Sequence, residues 1–392
     1  MRRRAGVVRL KRGREHKARV HPWIFKGDVA DASDEAPGAV VTVTDAGGRF
    51  VGRGFFNPQP ALCCRIATWE NEAVDAAFLA RRLGAAVAGR ARGGVVPEVG
   101  RLVWSEADQL PGLVVDRYGP VLVVQCLTLG MARVRDDLIA GLRRRVGDLA
   151  VFSLDDAVVA RLEGFEPVAA WADRPGPEEI VIDEGGVRAS VRPGAGHKTG
   201  VYLDQADNRR RVGEAAGGGD ILDVFAYTGG FACHALSRGA RRAVCVESSP
   251  EAIAGARRNF ELNGFTERAE IRAVNAFDEL RRLDREHTRF DLIVLDPPPF
   301  ARGRSAVDAA LRGYKEINLR ALRLLAPGGR LATFSCSHHV DETTFEATVR
   351  EAATDAGIRL RVLDRLGQPP DHPTLLTVPE TRYLKGLLLR AQ

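Results

Sequence analysis

The sequence predicts an α/β fold whose carboxy-terminal half is a doubly wound, mostly parallel sheet. After Asp220, apolar strand-like runs alternate with helical segments, as "ILDVFA" does with "GFACHALSRG", and such alternation is typical of parallel sheets. Ser249 and Pro250 mark the beginning of a second helix, because serine is favoured as the N-cap and proline at the first helical position. The 392 residues exceed the roughly 250 to 300 that one core supports, so two or three domains are expected.

The amino-terminal segment, residues 1–72, predicts a small β-barrel or sandwich with a basic arm. The run "VVTVTDAGGRFVGRGFF" alternates apolar and polar residues around turn-forming glycines, a pattern typical of β-strands. Nine of the first nineteen residues are Arg or Lys, against one Glu. Such an arm can contact the phosphates of a nucleic acid, although a solvated basic tail explains the same composition.

The middle segment, residues 73–176, predicts a separate α+β domain. Helices are expected within "AVDAAFLARRLGAAVAGRA" and around "ARVRDDLIAGLRRRV", with the strand-like "GLVVDRYGPVLVVQCL" between them. The stretch "ADRPGPEE" reads as a linker because of its prolines and glycine. The third domain is therefore expected to span residues 177–392. It begins with a strand pair across a Gly-Gly turn and ends with a strand in "RYLKGLLLR".

Composition excludes several classes of protein. The longest apolar runs fall far short of the ~20 residues that a membrane helix needs. The basic start lacks the apolar segment of a secretory signal, so a cytoplasmic protein is expected. The six cysteines form no CxxC pair and predict neither a disulfide framework nor a zinc site. No bound metal is expected.

Candidate site residues lie where the predicted strands end. In an open parallel sheet, ligands bind beyond the carboxyl ends of the strands. These ends are expected at Asp223 to Gly230, Glu247, Asn275, Asp296 to Phe300, and Ser335 to His339. The first of them, "DVFAYTGG", is not a GxGxxG loop, and its aromatic residues crowd the approach of a pyrophosphate. A nucleoside without a pyrophosphate is therefore expected, and S-adenosylmethionine fits.

Three residues are expected to contact this cofactor from the first three strand ends. Glu247 can accept hydrogen bonds from both ribose hydroxyls, and Tyr227 lies in the cofactor loop. The amide of Asn275 can bind the adenine edge, although an asparagine that caps a turn is an equally good explanation.

The stretch "LDPPPF" predicts a rigid loop at the site, because three prolines fix φ and restrict the residues before them. Asp296 is expected beside the cofactor, where it hydrogen-bonds a planar ring, and Pro297 and Phe300 are expected to pack on the substrate base.

Cys336, in "FSCS", is a candidate nucleophile. Carbon 5 of cytosine is too weakly nucleophilic to take a methyl group unaided, and a thiolate that adds to carbon 6 makes it an enamine. A free thiol has a pKa near 8.5, so nearby hydrogen-bond donors or the helix that begins near Asp341 should matter. Asp296 would hold the N3/N4 edge of the base. A partly buried, inert cysteine remains the alternative, and no catalytic role is assigned to His338 or His339.

Several motifs together resemble the RlmI-type 23S ribosomal RNA 5-methylcytosine methyltransferases. They are "HPWIFKGDV", "GHKTGVYLDQADNRR", "DVFAYTGGFACHAL", "NFELNG", "LDPPPF", "RGYKEINLRAL", "FSCS" and the terminal "YLKG". The resemblance covers essentially the whole chain. It implies an RNA-binding PUA domain, a small central α/β domain and a Rossmann-like class I methyltransferase domain that uses S-adenosylmethionine, often in a homodimer.

The same resemblance assigns roles to residues. It makes Cys336 the nucleophile and Asp296 the acid of the "DPP" motif. The cofactor residues that it implies are Asp223, Gly229, Glu247 and Asn275, with Lys198, Tyr202, Asp204 and Arg209 near the cofactor or the base. An aspartate is usual where Asn275 stands, so weaker cofactor binding is expected.

Two competing hypotheses remain at this point. In a guanine N-methyltransferase with the same "DPP" motif, the base needs no covalent activation and Cys336 is incidental. In an RNA-binding assembly factor, the fold is kept without turnover.

Overall fold

The computed structural model describes residues 6–194, 200–301 and 303–392. The chain divides into two compact units. The first comprises Met1–Ile180, Arg192–Gly200 and Pro370–Thr381, and the second comprises Val181–Val191, Val201–Pro369 and Arg382–Gln392. None of the helices in the described residues is long and apolar enough to cross a membrane.

The first unit begins with a six-stranded sheet in the order β2-β6-β5-β4-β1-β3. Its elements are β1 (Gly6–Leu10), helix α1 (Glu15–Ala18), β2 (Trp23–Phe25), β3 (Val29–Ala32), β4 (Ala39–Thr44), β5 (Phe50–Phe56) and β6 (Leu62–Thr68). Residues of β1 are buried and exposed in strict alternation, because successive side chains of a strand point to opposite faces. The run "VVTVTDAGGRFVGRGFF" forms the antiparallel strands β4 and β5, as predicted.

A second, five-stranded sheet of the first unit has the order β11-β10-β9-β8-β7. Its elements are α2 (Ala76–Arg90), β7 (Val99–Trp104), β8 (Leu113–Tyr118), β9 (Val121–Cys126), α3 (Leu129–Arg133), α4 (Arg135–Val146), β10 (Ala150–Leu154), α5 (Ala157–Glu163) and β11 (Ala169–Trp171). Helix α2 begins at the N-cap Asp75, whose side chain accepts from the amide of Phe78. The predicted α+β character of this segment is confirmed.

The second unit is built on a seven-stranded sheet in the order β16-β15-β14-β17-β18-β20-β19, preceded by the two-stranded pair β12-β13. The strands are β12 (Ile180–Asp183), β13 (Arg188–Val191), β14 (Asp220–Val224), β15 (Arg242–Glu247), β16 (Ala269–Ala273), β17 (Phe290–Leu295), β18 (Leu325–Ser335), β19 (Leu360–Gly367) and β20 (Lys385–Ala391). Strands β14 to β18 pair with one another in parallel, whereas β20 is antiparallel to both β18 and β19.

Helices connect these strands. They are α6 (Ala206–Glu214), α7 (Gly230–Ser237), α8 (Pro250–Asn263), α9 (Ala276–Arg285), α10 (Val307–Arg323) and α11 (Glu342–Ala356). Ser249 caps α8 through the amide of Ala252, with Pro250 at its first position, as predicted. Asp341 caps α11 through the amide of Thr344. The predicted doubly wound α/β fold is confirmed.

Two local predictions differ from the structure. Strand β16 ends at Ala273, so Asn275 does not end the strand; it is the N-cap of α9. Strand β19 was not expected, because as an edge strand it keeps much of its length exposed and lacks the apolar alternation of a half-buried strand.

Candidate active site

The carboxyl ends of β14, β15, β17 and β18 meet at one edge of the sheet. Val224 pairs with Val246 on one side and with Leu295 on the other, and Leu295 pairs in turn with Thr333. The residues that follow these positions along the chain therefore leave the sheet together. They include Glu247, Asp296 and Cys336, which the sequence analysis had placed at strand ends.

The loop after β14 has a backbone conformation that brings it tightly into helix α7. Phe225 and Tyr227 have positive φ angles of 63° and 48°, and Gly229, with φ of 71°, is the N-cap of α7. A Cβ atom on Gly229 would lie 2.8 Å from the ring of Phe260. Glycine is therefore required at this position both by the left-handed backbone and by the close approach of α8.

Asp223 is a buried carboxylate that retains an unpartnered oxygen. Its side chain is fully buried, and Oδ2 accepts from the amide of Ala232 at 3.1 Å. Oδ1 has no hydrogen-bond partner among the described residues. The pKa of Asp223 is raised to about 7, mainly by burial and also by the charges of Asp296 and Glu247, while the Ala232 amide and the charge of Arg209 act to lower it. A cationic ligand would satisfy this oxygen, and S-adenosylmethionine carries positive charge at its sulfonium and amino groups.

Glu247 is held in one orientation by backbone amides. Oε2 accepts from Tyr227 at 2.9 Å, and Oε1 accepts from Ser248 at 2.7 Å and Ser249 at 2.9 Å. An ionised carboxylate has about four lone-pair sites, so one site on Oε2 remains for a ribose hydroxyl. Contact with both hydroxyls stays a prediction.

Asn275 uses its side-chain oxygen to cap α9. Oδ1 accepts from the amides of Phe277 at 2.9 Å and Asp278 at 3.4 Å. The capping role that the sequence left open is therefore the one that the structure shows. The side-chain NH₂ group remains as a donor toward an adenine ring nitrogen, whereas an aspartate would offer a second acceptor to the adenine amino group.

Cys336 lies directly after β18 and is half-buried, whereas the other five cysteines are buried. Its thiol donates to the carbonyl oxygen of Pro297 at 3.8 Å. This contact joins the cysteine to the rigid loop that carries Asp296. The two candidate catalytic residues therefore lie at the ends of adjacent strands, as predicted.

The two serines that flank Cys336 are anchored by one tyrosine that sequence reasoning did not single out. The hydroxyl of Tyr314, on α10, lies 3.0 Å from Ser335 Oγ and 2.9 Å from Ser337 Oγ. All three side chains are fully buried. The two serines of the "FSCS" motif therefore anchor the backbone on both sides of the thiol. The only sign of this anchor in the sequence is the tyrosine of "RGYKEINLRAL".

Phe300 packs in an aromatic cluster rather than alone. Its ring centroid is 4.8 Å from that of Tyr314, 5.8 Å from that of Phe277 and 6.3 Å from that of Phe225. Pro297 is buried and Asp296 is half-buried. Contact of Phe300 and Pro297 with a base stays a prediction.

The segment before α6 brings further predicted residues to the same place. The rings of Tyr202 and Tyr227 meet edge to face with centroids 5.0 Å apart. Burial raises the pKa of Tyr202, and so do Tyr227, Asp204, Asp296 and Cys336, in that order. Each of these four groups is therefore close enough to Tyr202 to interact with it electrostatically. Lys198, predicted beside them, lies outside the described residues.

Arg209 is engaged within the protein. Its guanidinium binds both oxygens of Glu184, at 2.7 and 2.5 Å, and the carbonyl oxygen of Tyr202 at 2.9 Å. His234 also binds Glu184, at 2.9 Å. Burial alone would raise the pKa of Glu184, but the charge of Arg209 and hydrogen bonds from His234 and Arg209 lower it to about 2. The geometry gives Arg209 a positioning role for Tyr202, and its contact with a substrate stays a prediction.

Two residues near the end of the chain, Tyr383 and Lys385, bind Asp204 and Ser337 at the site. The hydroxyl of Tyr383 donates to Asp204 Oδ2 at 2.5 Å, and its ring lies 5.8 Å from that of His338 between centroids. Lys385 Nζ, buried, donates to the carbonyl oxygen of Ser337 at 2.7 Å. The motif "YLKG" by itself predicts no role for Lys385; the signal in the sequence is a rare lysine beside an apolar strand.

Comparison with known proteins defines the class of this enzyme. A family model of S-adenosylmethionine-dependent methyltransferases matches residues 156–390, and one of PUA-like domains matches residues 8–69. The chain is therefore an S-adenosylmethionine-dependent methyltransferase with an amino-terminal PUA-like domain, as predicted. The boundaries predicted near residues 72 and 176 stay predictions.

Full-length relatives give the particular family. Ribosomal RNA large subunit methyltransferase I of Klebsiella pneumoniae is 39% identical over 393 residues, which cover 97% of both chains. The protein of the same name from Alteromonas mediterranea is 36% identical over 375 residues, 94% of both. The chain belongs to this family, which confirms the resemblance seen in the motifs.

The fold of solved structures agrees. SMU.776, solved in complex with SAH, superposes with a TM-score of 0.85 at 19% identity and covers 98% of this chain and 99% of its own. Trm5b of Pyrococcus abyssi superposes with a TM-score of 0.53 at 16% identity, over 71% of this chain and 74% of its own.

Proposed function

We propose that the protein methylates carbon 5 of a cytosine in large-subunit ribosomal RNA through a covalent adduct on Cys336. The observation that carries this proposal is the contact between the Cys336 thiol and the Pro297 carbonyl at 3.8 Å. Asp296 and Cys336 follow two adjacent parallel strands, and Asp296 is close enough to Asp223 to raise the pKa of that carboxyl, which supports a nucleophile and an acid at one site. Ribosomal RNA as the substrate is supported by the names of the full-length relatives.

Separate residues of the site would bind the cofactor and activate the base. Asp223, Glu247 and the Gly229 loop would hold S-adenosylmethionine, which supplies an electrophilic methyl group when it is bound. The Cys336 thiolate adds to carbon 6 of the cytosine, and the electron pair of the carbon 5–carbon 6 double bond makes carbon 5 nucleophilic. Asp296 hydrogen-bonds the N3/N4 edge and favours the charge that develops there.

The adduct resolves once carbon 5 carries the methyl group. The carbon 5 proton leaves to a base, the double bond re-forms, and the sulfur of Cys336 departs as thiolate. The thiol is thereby regenerated without any oxidant or reductant. The PUA-like domain would contribute RNA contacts, and a ribosomal substrate implies a cytoplasmic site of action. The homodimer implied by the motifs stays a prediction.

Nucleoside mass spectrometry of ribosomal RNA tests the proposal. A strain that lacks the gene should lose one 5-methylcytosine, the wild-type gene should restore it, and Cys336→Ala should not. Unchanged 5-methylcytosine in the deletion strain would refute the substrate. Restoration of 5-methylcytosine by Cys336→Ala would refute the covalent mechanism. Loss of a methylguanine instead of 5-methylcytosine in the deletion strain would favour the guanine N-methyltransferase alternative.

A calorimetric titration separates the remaining alternative. The purified protein should bind S-adenosylmethionine, and Cys336→Ala should bind it equally well. Absence of binding by the wild-type protein would leave an RNA-binding assembly factor without turnover.

A further inference from the structure

We propose that the ammonium group of Lys385 stabilises the thiolate form of Cys336 and that Lys385 is a positioning residue for the nucleophile. The proposal rests on the function proposed for Cys336 and adds the group that makes its thiol reactive. Three observations carry it: the pairing of the strands, the hydrogen bond that Lys385 makes, and the charges that surround it.

The strand pairing sets Lys385 beside the cysteine. Lys385 is the first residue of β20, and its Cα partner on β18 is Ser335, the residue immediately before Cys336. Its Nζ atom donates to the carbonyl oxygen of Ser337, the residue immediately after Cys336, at 2.7 Å. The side chain therefore spans the backbone on both sides of the thiol, and at 5% exposure it is shielded from water.

A shielded ammonium needs negative charge nearby, because burial disfavours its charged form. The pKa of Lys385 is lowered to about 8, mainly by burial and also by the charge of Arg382. The negative charges of Cys336, Asp341 and Glu342 act to raise this pKa. Two of the three acidic groups are already used. Asp341 accepts from the amide of Thr344 at 2.7 Å, and Glu342 pairs with Arg382 at 2.7 Å.

The thiolate is therefore the anion best placed to pair with Lys385. Tyr202 and Tyr314 also interact electrostatically with Cys336, and burial raises the pKa of both hydroxyls. They carry no charge at neutral pH and do not compete as cations or anions. Asp296 acts on the same Tyr202 hydroxyl and would oppose thiolate formation, which increases the need for a neighbouring cation.

The charge on Lys385 also sets a pH range. With a pKa of about 8, the amine is mostly protonated at pH 7 and loses its charge as the pH rises through that value. The stabilisation of the thiolate is therefore present below about pH 8 and declines above it. A purely structural lysine, which only joins β18 to β20, would leave the ionisation of Cys336 unchanged.

Alkylation of Cys336 tests the proposal without RNA or methyl transfer. The full-length protein is treated with iodoacetamide between pH 5 and pH 10, and the Cys336 peptide is quantified by mass spectrometry. The other five cysteines are buried, and Cys336→Ser serves as the blank. The wild-type midpoint is expected below the value of about 8.5 that a free thiol shows.

Lys385→Met should raise this midpoint by about one pH unit, and Lys385→Arg should stay close to wild type. At pH 7 the methionine variant should react about threefold more slowly, because tenfold less thiolate is partly offset by its greater nucleophilicity. Unchanged midpoints in Lys385→Met would overturn the proposal. So would a wild-type midpoint at or above about 8.5, which decides the matter even if the variant does not fold.

The outcome is separable from that of the proposed function. If Cys336→Ala still methylates RNA, the covalent mechanism fails whatever the alkylation profile shows. If Cys336→Ala is inactive but the midpoint does not depend on Lys385, only the role of Lys385 fails.

Discussion

The thiol of Cys336 lies 3.8 Å from the carbonyl oxygen of Pro297. The two residues follow β18 and β17, which are adjacent and parallel. A contact between strand ends therefore connects two loops whose contacting residues are 39 positions apart in the chain. Because the prolines restrict one loop and the Tyr314 hydroxyl fixes the other, the thiol and Asp296 are held in a constant relation before any ligand binds.

Tyr314→Phe should separate stability from nucleophile placement. The variant removes the hydroxyl that serves Ser335 and Ser337, and leaving buried hydroxyls without a partner costs about 1 to 3 kcal/mol. We expect a lower melting temperature and a fall in kcat of about tenfold or more, with unchanged cofactor affinity. Tyr118→Phe, a buried tyrosine of the first unit, is the control. Equal activity losses per folded molecule in both variants would contradict a local role of Tyr314.

Asp223→Asn should weaken cofactor binding. The unpartnered Oδ1 loses its charge, and hydrogen bonds to charged groups contribute about 1.5 to 3 kcal/mol, so affinity for S-adenosylmethionine should fall about tenfold or more. The Asp223 carboxyl has a pKa of about 7, which a bound cation would lower. Calorimetry at pH 7 in buffers of different ionisation enthalpy should therefore show that the wild-type protein releases protons when it binds the cofactor. The asparagine variant should release none.

The same carboxyl predicts a pH dependence of stability. Its raised pKa of about 7 means that the folded protein binds the proton more tightly than the unfolded chain. The contribution of Asp223 to stability therefore falls as the pH rises from about 4 to about 7 and is level above that. In thermal unfolding without cofactor, Asp223→Asn should lose less stability between pH 5 and pH 8 than the wild-type protein does. An identical loss in both proteins would contradict the raised pKa.

Asn275→Asp should improve cofactor binding without changing stability. Aspartate is as good an N-cap as asparagine, so α9 should keep its capping hydrogen bonds. The second carboxylate oxygen can accept from the adenine amino group, and the affinity for S-adenosylmethionine should rise severalfold in calorimetry. Asn275→Ala should cost about 1 kcal/mol of stability through loss of the cap. An affinity that does not rise in the aspartate variant would contradict a contact between residue 275 and the adenine amino group.

Glu184→Gln should lower the free energy of unfolding by about 3 to 5 kcal/mol, because it leaves the buried Arg209 without its counter-charge. The lowered pKa of Glu184, about 2, predicts stabilisation that is fully present above the ordinary carboxyl value and is lost as the pH falls from about 4.5 toward 2. Denaturant titrations at pH 3 and pH 7 should show this loss in wild type. In Glu184→Gln the difference between the two pH values should shrink; an equal difference would exclude Glu184 as its source.

Local sequence signals were sufficient for much of the fold and for the strand-end residues. Capping preferences and apolar periodicity act over a few residues. They are enough to predict the helices that begin at Ser249 and near Asp341 and the strands that lead to Glu247, Asp296 and Cys336. Asn275 was misplaced because strand boundaries depend on pairing with a neighbour, and β15 gives β16 its last partner at Ala273.

Local sequence patterns are enough to predict the alternation of strands and helices, and with it the edge of the sheet at which the acidic residues and Cys336 meet. The distant side chains that support these residues are known only from the folded chain. Tyr314 comes from α10 and Glu184 follows β12. Lys385 reaches the carbonyl oxygen of Ser337, next to Cys336, because β20 inserts antiparallel between β18 and β19. Strand order is not encoded in local periodicity, since it depends on which faces are buried together once the whole sheet has formed.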